Sequence, residues 1–247
     1  MGFKPRPVSV LITGGTGSVG KALVEAFATR NHRVTFQYRR EKSIAKRLEK
    51  RFGAESIQMD FGEDFLLPRV DFDVVINNAG INVSDVAAHE VDIGDWNRTL
   101  RVNLTAPFLV VRQCLPSMIK KRWGRIINIS SIYGLRAVEG NLPYTVSKHG
   151  LAGFTKTLAR EYAVHGITCN EICPGPVDSE MMREIGKRAA ASSGGTVASY
   201  LKEVCDEIPA RRMVKPSELA ALALFLASSE AGYLTGASIP MDGGMIA

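Results

Sequence analysis

Seven short apolar runs, spaced by longer stretches of helical pattern, do most to limit what this chain can fold into. They are Val8-Ser-Val-Leu-Ile12, Val34-Thr-Phe36, Ser56-Ile-Gln-Met59, Val74-Val-Ile76, Ile126-Ile-Asn-Ile129, Ile167 to Ile172 and Ala237-Ser-Ile239. Continuous apolar runs mark strands covered on both faces, as in a parallel sheet. Parallel neighbours need long crossovers, and the intervening segments have the helical spacing to supply them. Trp96, Leu100, Leu104, Phe108, Val111, Leu115 and Met118 recur at three- and four-residue steps, which predicts a helix over Asp95 to Lys121. Further helices are predicted over Pro143 to Val164 and from Ser217 to Ser228, each opened by a proline. The 247 residues suit one α/β domain spanning 1–247.

One region breaks the rhythm. Residues 178–212 show little sheet pattern and follow a Pro174-Gly175 break after a strand. A mobile lid of two short helices over a site is the expectation, ahead of a poorly ordered surface excursion.

Composition excludes several classes. Hydrophobic residues make up 45% and charged residues 23% of the chain, as in a soluble globular protein. No apolar run approaches the ~20 residues a bilayer span needs, so no membrane partner is expected. Met1 to Pro7 lacks the apolar core of a secretory signal, and a cytoplasmic location is expected. The formal charge of +6 is scattered over Lys4 and Arg6, Arg39 to Lys50, Lys120 to Arg125 and Arg211 to Lys215. A nucleic-acid reader would carry a basic stripe with a reading motif, and none is evident. Cys114, Cys169, Cys173 and Cys205 form no C-x-x-C pair; reduced, mostly buried thiols are expected. His32, His89, His149 and His165 show no metal spacing, so no metal site is expected.

Thr13-Gly-Gly-Thr-Gly-Ser-Val-Gly20 follows the first strand and opens a helix. Glycines let a backbone turn sharply and approach a pyrophosphate, while the helix N-terminus offers free N–H groups. With the alternating pattern, this predicts a doubly wound, Rossmann-type sheet of seven parallel strands with helices on both faces. About 20 residues on, where an acid would grip a ribose 2′-hydroxyl, stands Tyr38-Arg39-Arg40. A guanidinium suits a 2′-phosphate, so NADP(H) is expected over NAD(H), with Arg39 as the main discriminator and Arg40 as support.

Tyr144-Thr-Val-Ser-Lys148 places a phenol and an ammonium on one helix face. The expectation is that the ammonium lowers the phenol's pKa from about 10. Tyr144 then both gives and takes protons near neutral pH.

Together these residues resemble the short-chain dehydrogenase/reductase family, over essentially the whole chain. The resemblance rests on Thr13 to Gly20, Asp60, Asn77-Asn-Ala-Gly80, Asn103 in Val-Asn-Leu-Thr, Ser130-Ser131, Tyr144 with Lys148, Pro174-Gly175, and Thr235-Gly236 to Asp242-Gly-Gly244. Ser131, thirteen residues ahead of Tyr144, has the family's serine spacing. The resemblance implies catalysis by Asn103, Ser131, Tyr144 and Lys148. It implies a cofactor cleft made by Gly14, Thr16, Gly17, Ser18, Val19, Gly20, Tyr38, Arg39, Arg40, Asp60, Phe61, Asn78, Ala79, Gly80, Tyr144, Lys148, Pro174, Gly175, Val177 and Ser179. Tyr144 would protonate a carbonyl as hydride arrives, Ser131 would hold the same oxygen, and Lys148 would lower the tyrosine pKa and grip the nicotinamide ribose. Asn103 would help hold a water between Lys148 and solvent. Three departures stand out. Ser18 replaces the usual middle glycine, and Ser179 replaces a threonine. Only sixteen residues separate Asp60 from Asn77, which implies a truncated helix there.

Within the family, the chain is most similar to 3-oxoacyl-[acyl-carrier-protein] reductases. Lys120-Lys-Arg-Trp-Gly-Arg125 is a candidate dock for an acyl carrier protein or a solvated helix end, while His165 replaces an arginine often found in such reductases. Arg136 and Glu139 would instead border a free polar ketone, the alternative substrate. A cofactor-sensing module without turnover is a third reading. The resemblance further implies a homotetramer, and an open sheet ending in Ala237 to Ala247 suggests an apolar tail at a subunit contact or an edge strand folded back on its own chain.

Overall fold

The computed structural model describes residues 7–83 and 85–247; Lys4 and Arg6 lie outside the described residues. The chain runs β1 (Ser9–Ile12), α1 (Ser18–Ala28), β2 (Arg33–Tyr38), α2 (Lys42–Phe52), β3 (Glu55–Gln58) and β4 (Val74–Asn77). It continues α3 (Ile93–Leu100), α4 (Ala106–Lys121), β5 (Gly124–Ile129), α5 (Leu142–Tyr162) and β6 (Ile167–Pro174). It ends α6 (Glu180–Ser193), α7 (Val197–Glu207), α8 (Pro216–Ala227) and β7 (Ser238–Met241). Every apolar run named above is a strand, and all pair in parallel in the order β3-β2-β1-β4-β5-β6-β7. The chain reverses its direction of travel across the sheet between β1 and β4. Such a switch opens a crevice at the carboxyl ends of the strands.

Strand alternation divides the core in two. Val10, Ile12, Val74, Ile76, Ile127 and Ile129 pack with Leu23, Val24 and Phe27 of α1 and Leu219, Ala223 and Leu226 of α8. Leu11, Val75, Ile126 and Cys169 pack with Val110, Cys114 and Met118 of α4 and Leu158 of α5. Burial on both faces explains why the strands read as unbroken apolar runs.

The helix expected over Asp95 to Lys121 is broken by one turn of π-helix, Arg101–Thr105. A π turn inserts one residue into the helical register, and its residues keep apolar spacing, so the pattern conceals it. Between β3 and β4 no helix forms among the described residues. Phe61, Leu67 and Phe72 cover that face of the sheet instead, and Leu67 N–H donates to Gln113 Oε1 at 2.9 Å. Residues 178–212 do fold as two helices, α6 and α7.

Lys120 to Arg125 sits at the amino end of β5, opposite the crevice. Three of its basic side chains are engaged within the chain: Lys121 pairs with Asp73 at 2.8 Å, Arg122 donates to Val164 O, and buried Arg125 donates to Gly124 O and Ser228 O. The candidate carrier dock thus lies at the end of the sheet opposite the crevice, where a solvated helix end is the other reading.

Candidate active site

β5 ends at Ile129, and Ser130 and Ser131 carry the chain over the crevice into a short 3-10 turn, Ile132–Gly134. Ser131 Oγ accepts the Tyr133 N–H at 3.1 Å, which fixes its rotamer. Helix α5 returns across this turn closely enough that a Cβ on Gly134 would lie 3.0 Å from the Lys148 carbonyl oxygen. That approach sets Tyr144 beside Ser131, whose hydroxyl acts on the phenol. The Tyr133 ring meets the Tyr144 ring edge-on, centroids 6.4 Å apart.

Lys148 is buried with its Nζ 5.4 Å from the Tyr144 ring centroid. The expected lowering of the phenol's pKa is not what this site does. Burial pushes Tyr144 up to about 12, the neighbouring Ser131 hydroxyl only partly opposing it. Burial also pulls Lys148 down to about 8, opposed by the Glu171 carboxylate. The ammonium spends a hydrogen on the Ile129 carbonyl at 2.9 Å. Desolvation outweighs the neighbouring charge, so the Tyr144 phenol keeps its proton across the neutral range.

One cavity of about 580 Å³ joins this triad to the glycine-rich turn. Gly14, Thr16, Gly17, Ser18, Val19 and Gly20 line it, as do Arg39, Arg40, Asp60, Phe61, Asn78, Ala79, Gly80, Pro174, Gly175, Val177 and Ser179. Gly20 is obligatory, because a Cβ there would stand 2.1 Å from the Gly14 carbonyl oxygen. Helix α1 is capped by Gly17 without a side-chain hydrogen bond and has no acidic residue in its first turn. Its free N–H groups therefore suit a phosphate, and the residues present fit a dinucleotide. Asn78 Nδ2 donates to Thr13 O at 2.8 Å, which latches the Asn77–Gly80 turn to the glycine-rich turn. No ion pair or side-chain hydrogen bond among the described residues occupies the guanidinium of Arg39 or Arg40.

The comparisons with known proteins agree with this geometry. A family model described as Enoyl-(Acyl carrier protein) reductase matches residues 14–246. The 3-oxoacyl-[acyl-carrier-protein] reductase of Aquifex aeolicus is 36% identical, over 95% of this chain and 96% of that protein. The chain belongs to the short-chain dehydrogenase/reductase family. It is an oxidoreductase of that family, and the acetoacetyl-CoA reductase of Shinella zoogloeoides is 34% identical over 95% of this chain and 96% of its own. An actinorhodin polyketide ketoreductase variant solved with NADPH superposes with a TM-score of 0.89 at 28% identity, covering 99% of each chain.

Several expectations drawn from the family pattern need correction. Tyr38 does not line the cavity: its ring is buried in the core and its hydroxyl reaches Gln58 at 3.4 Å. Strand alternation turns Gln37 to the cavity in its place, where Oε1 accepts the Gly14 N–H at 2.9 Å. Asn103, in the π turn, is buried and clamps the Ile81 backbone, Nδ2 to Ile81 O and Ile81 N–H to Oδ1, both at 2.9 Å. Its Nδ2 also donates to Ser147 Oγ of α5 at 3.1 Å. Arg136 and Glu139 are exposed and do not border the cavity. Ser179 lines the cavity and caps α6 by accepting the Met182 N–H at 3.2 Å. Tyr133, Ile81, Met181, Met182 and Ile185 also line the cavity and had no motif to announce them. Among the described residues no group of three His, Cys, Asp or Glu side chains could hold a metal, and no helix is long and apolar enough to cross a membrane.

Proposed function

We propose that the chain reduces a 3-oxoacyl thioester to the 3-hydroxyacyl thioester with NADPH. The observation that carries this reading is one cavity with the Ser131–Tyr144 hydroxyl pair at one end and unpaired arginines at the other. Arg39 and Arg40 suit a 2′-phosphate, and the glycine-rich turn suits the pyrophosphate. NADPH, when bound, supplies the hydride to the carbonyl carbon. Tyr144 gives its proton to the carbonyl oxygen, and Ser131 hydrogen-bonds that oxygen as negative charge builds. Lys148, which lines the same cavity, would hold the nicotinamide ribose hydroxyls.

The substrate class follows from the walls. Tyr133, Met181, Met182 and Ile185 make the cavity's outer part apolar, which suits an acyl chain. Free polar ketones lose their support, because Arg136 and Glu139 stand away from the cavity. The relatives named above act on carrier-linked or CoA-linked 3-oxo acids, in keeping with a thioester. Steady-state kinetics on acetoacetyl-CoA, acetoacetyl-carrier protein and free acetoacetate test it. A thioester is expected to exceed acetoacetate at least about tenfold in kcat/KM; equal values contradict the reading. A carrier preference that fades with salt identifies the carrier as the partner.

Helix α6 serves as the lid. Glu180 at its start pairs with Lys21 at 2.9 Å and accepts from Ser18, while Arg188 pairs with Asp85 at 2.8 Å. Hydrogen exchange in α6 should slow when NADPH binds. The chain is proposed to assemble as a homotetramer, a reading supported by exposed Phe225 on α8 and exposed Tyr233. Light scattering tests it.

A further inference from the structure

Glu171 is the one acidic residue in the eight-residue run of β6, and it is fully buried. Strand alternation sends it to the same face as Cys169 and Cys173, beneath α5. Oε1 accepts the Ser238 hydroxyl from β7 at 2.6 Å, and Oε2 has no hydrogen-bond partner among the described residues. Helix α5 packs on β6 and carries Lys148, also buried, whose one hydrogen-bond partner among the described residues is the Ile129 carbonyl. A buried ammonium with one neutral acceptor is costly unless an opposite charge faces it.

We propose that Glu171 is a positioning residue for the reduction, a buried counter-charge beneath α5 that keeps the Lys148 ammonium charged and in place. This rests on the role given to Lys148 above. The other titratable groups facing Lys148 are neutral through the working range: Tyr144 on its own helix, Tyr133 on the 3-10 turn and Cys173 on β6, whose thiol burial pushes up to about 12. From the π turn comes Asn103, which is uncharged. The carboxylate is thus the only anion among the described residues acting on this ammonium, and it opposes the loss of charge that burial favours. Glu171 touches neither carbonyl nor nicotinamide; it acts through Lys148.

Glu171→Gln keeps the shape and the Ser238 contact and removes the charge. The alkaline limb of kcat/KM should move down by about one pH unit, with turnover at pH 6 changed less than about threefold. A second readout needs no activity. The melting temperature of the native chain should exceed that of Glu171→Gln most at pH 6 to 7. The gap should close above pH ~9, where Lys148 is neutral and the pair no longer attracts. In a Lys148→Met background the same substitution should give no pH-dependent gap. An unmoved limb, or a melting gap constant with pH, overturns the proposal even if the chain proves active. An inactive chain with the expected melting behaviour would overturn only the substrate reading. If Glu171→Gln alone does not fold, the double variant with Lys148→Met should, because no charge is then buried unpaired; failure of both overturns the pairing.

Discussion

Lys148 donates to the Ile129 carbonyl at 2.9 Å, and so its ammonium is anchored to the end of β5 rather than to the Tyr144 hydroxyl. The anchor holds the cation at a set height under the cavity. It also leaves the phenol beside Ser131, and burial keeps that phenol protonated.

A pH dependence follows. Tyr144, near 12, keeps its proton throughout the useful range, whereas Lys148 loses its charge above about 8. The profile of kcat/KM reports the free enzyme. Reduction should be level near neutral pH and fall about tenfold per unit above pH 8. A limb that begins only above pH 10 would mean that Lys148 is not the group being titrated.

Ser131→Ala should keep the fold, since Oγ accepts only the Tyr133 N–H from the backbone. It removes a donor to the carbonyl oxygen, and kcat should drop about 10²-fold with KM little changed. Circular dichroism beside steady-state kinetics checks both halves.

Arg39→Ala removes the guanidinium that faces the cavity without an ion pair. KM for NADPH should rise at least about tenfold while that for NADH stays within about threefold. Arg40→Ala should act in the same direction and less strongly. A parallel rise for both cofactors would remove the 2′-phosphate from the account.

Gly20→Ala would set a methyl 2.1 Å from the Gly14 carbonyl oxygen, backbone that cannot swing aside. A loss of about 1–3 kcal/mol of stability is expected, with weaker NADPH binding. Gly153→Ala, with nothing within 4 Å of its Cβ position, is the control and should be neutral or stabilising. Denaturant melts of the two variants decide it.

The fold was legible in the sequence because burial on both faces writes a parallel strand as an unbroken apolar run, and Ile167 to Ile172 or Val74 to Ile76 could be read no other way. The glycine-rich turn and Tyr144 were legible because steric and chemical demands there admit few residue types. What escaped has physical reasons as well. Tyr38 and Gln37 differ only in strand parity, which the run of buried residues in β2 concealed. The π turn at Arg101–Thr105 preserves apolar spacing while shifting the register. The sequence spacing of Tyr144 and Lys148 said which face they share but not how much water that face loses, and desolvation sets their pKa values. The Lys120 to Arg125 cluster was legible as charge, but only the sheet direction reveals that it lies at the end remote from the cavity.

The most direct test of the account is NADPH oxidation, followed by absorbance with an acetoacetyl thioester, for the native chain and for Tyr144→Phe. The account predicts turnover by the native chain and a loss of at least about 10²-fold in the variant, with unchanged melting temperature. Comparable rates in the two proteins would contradict it.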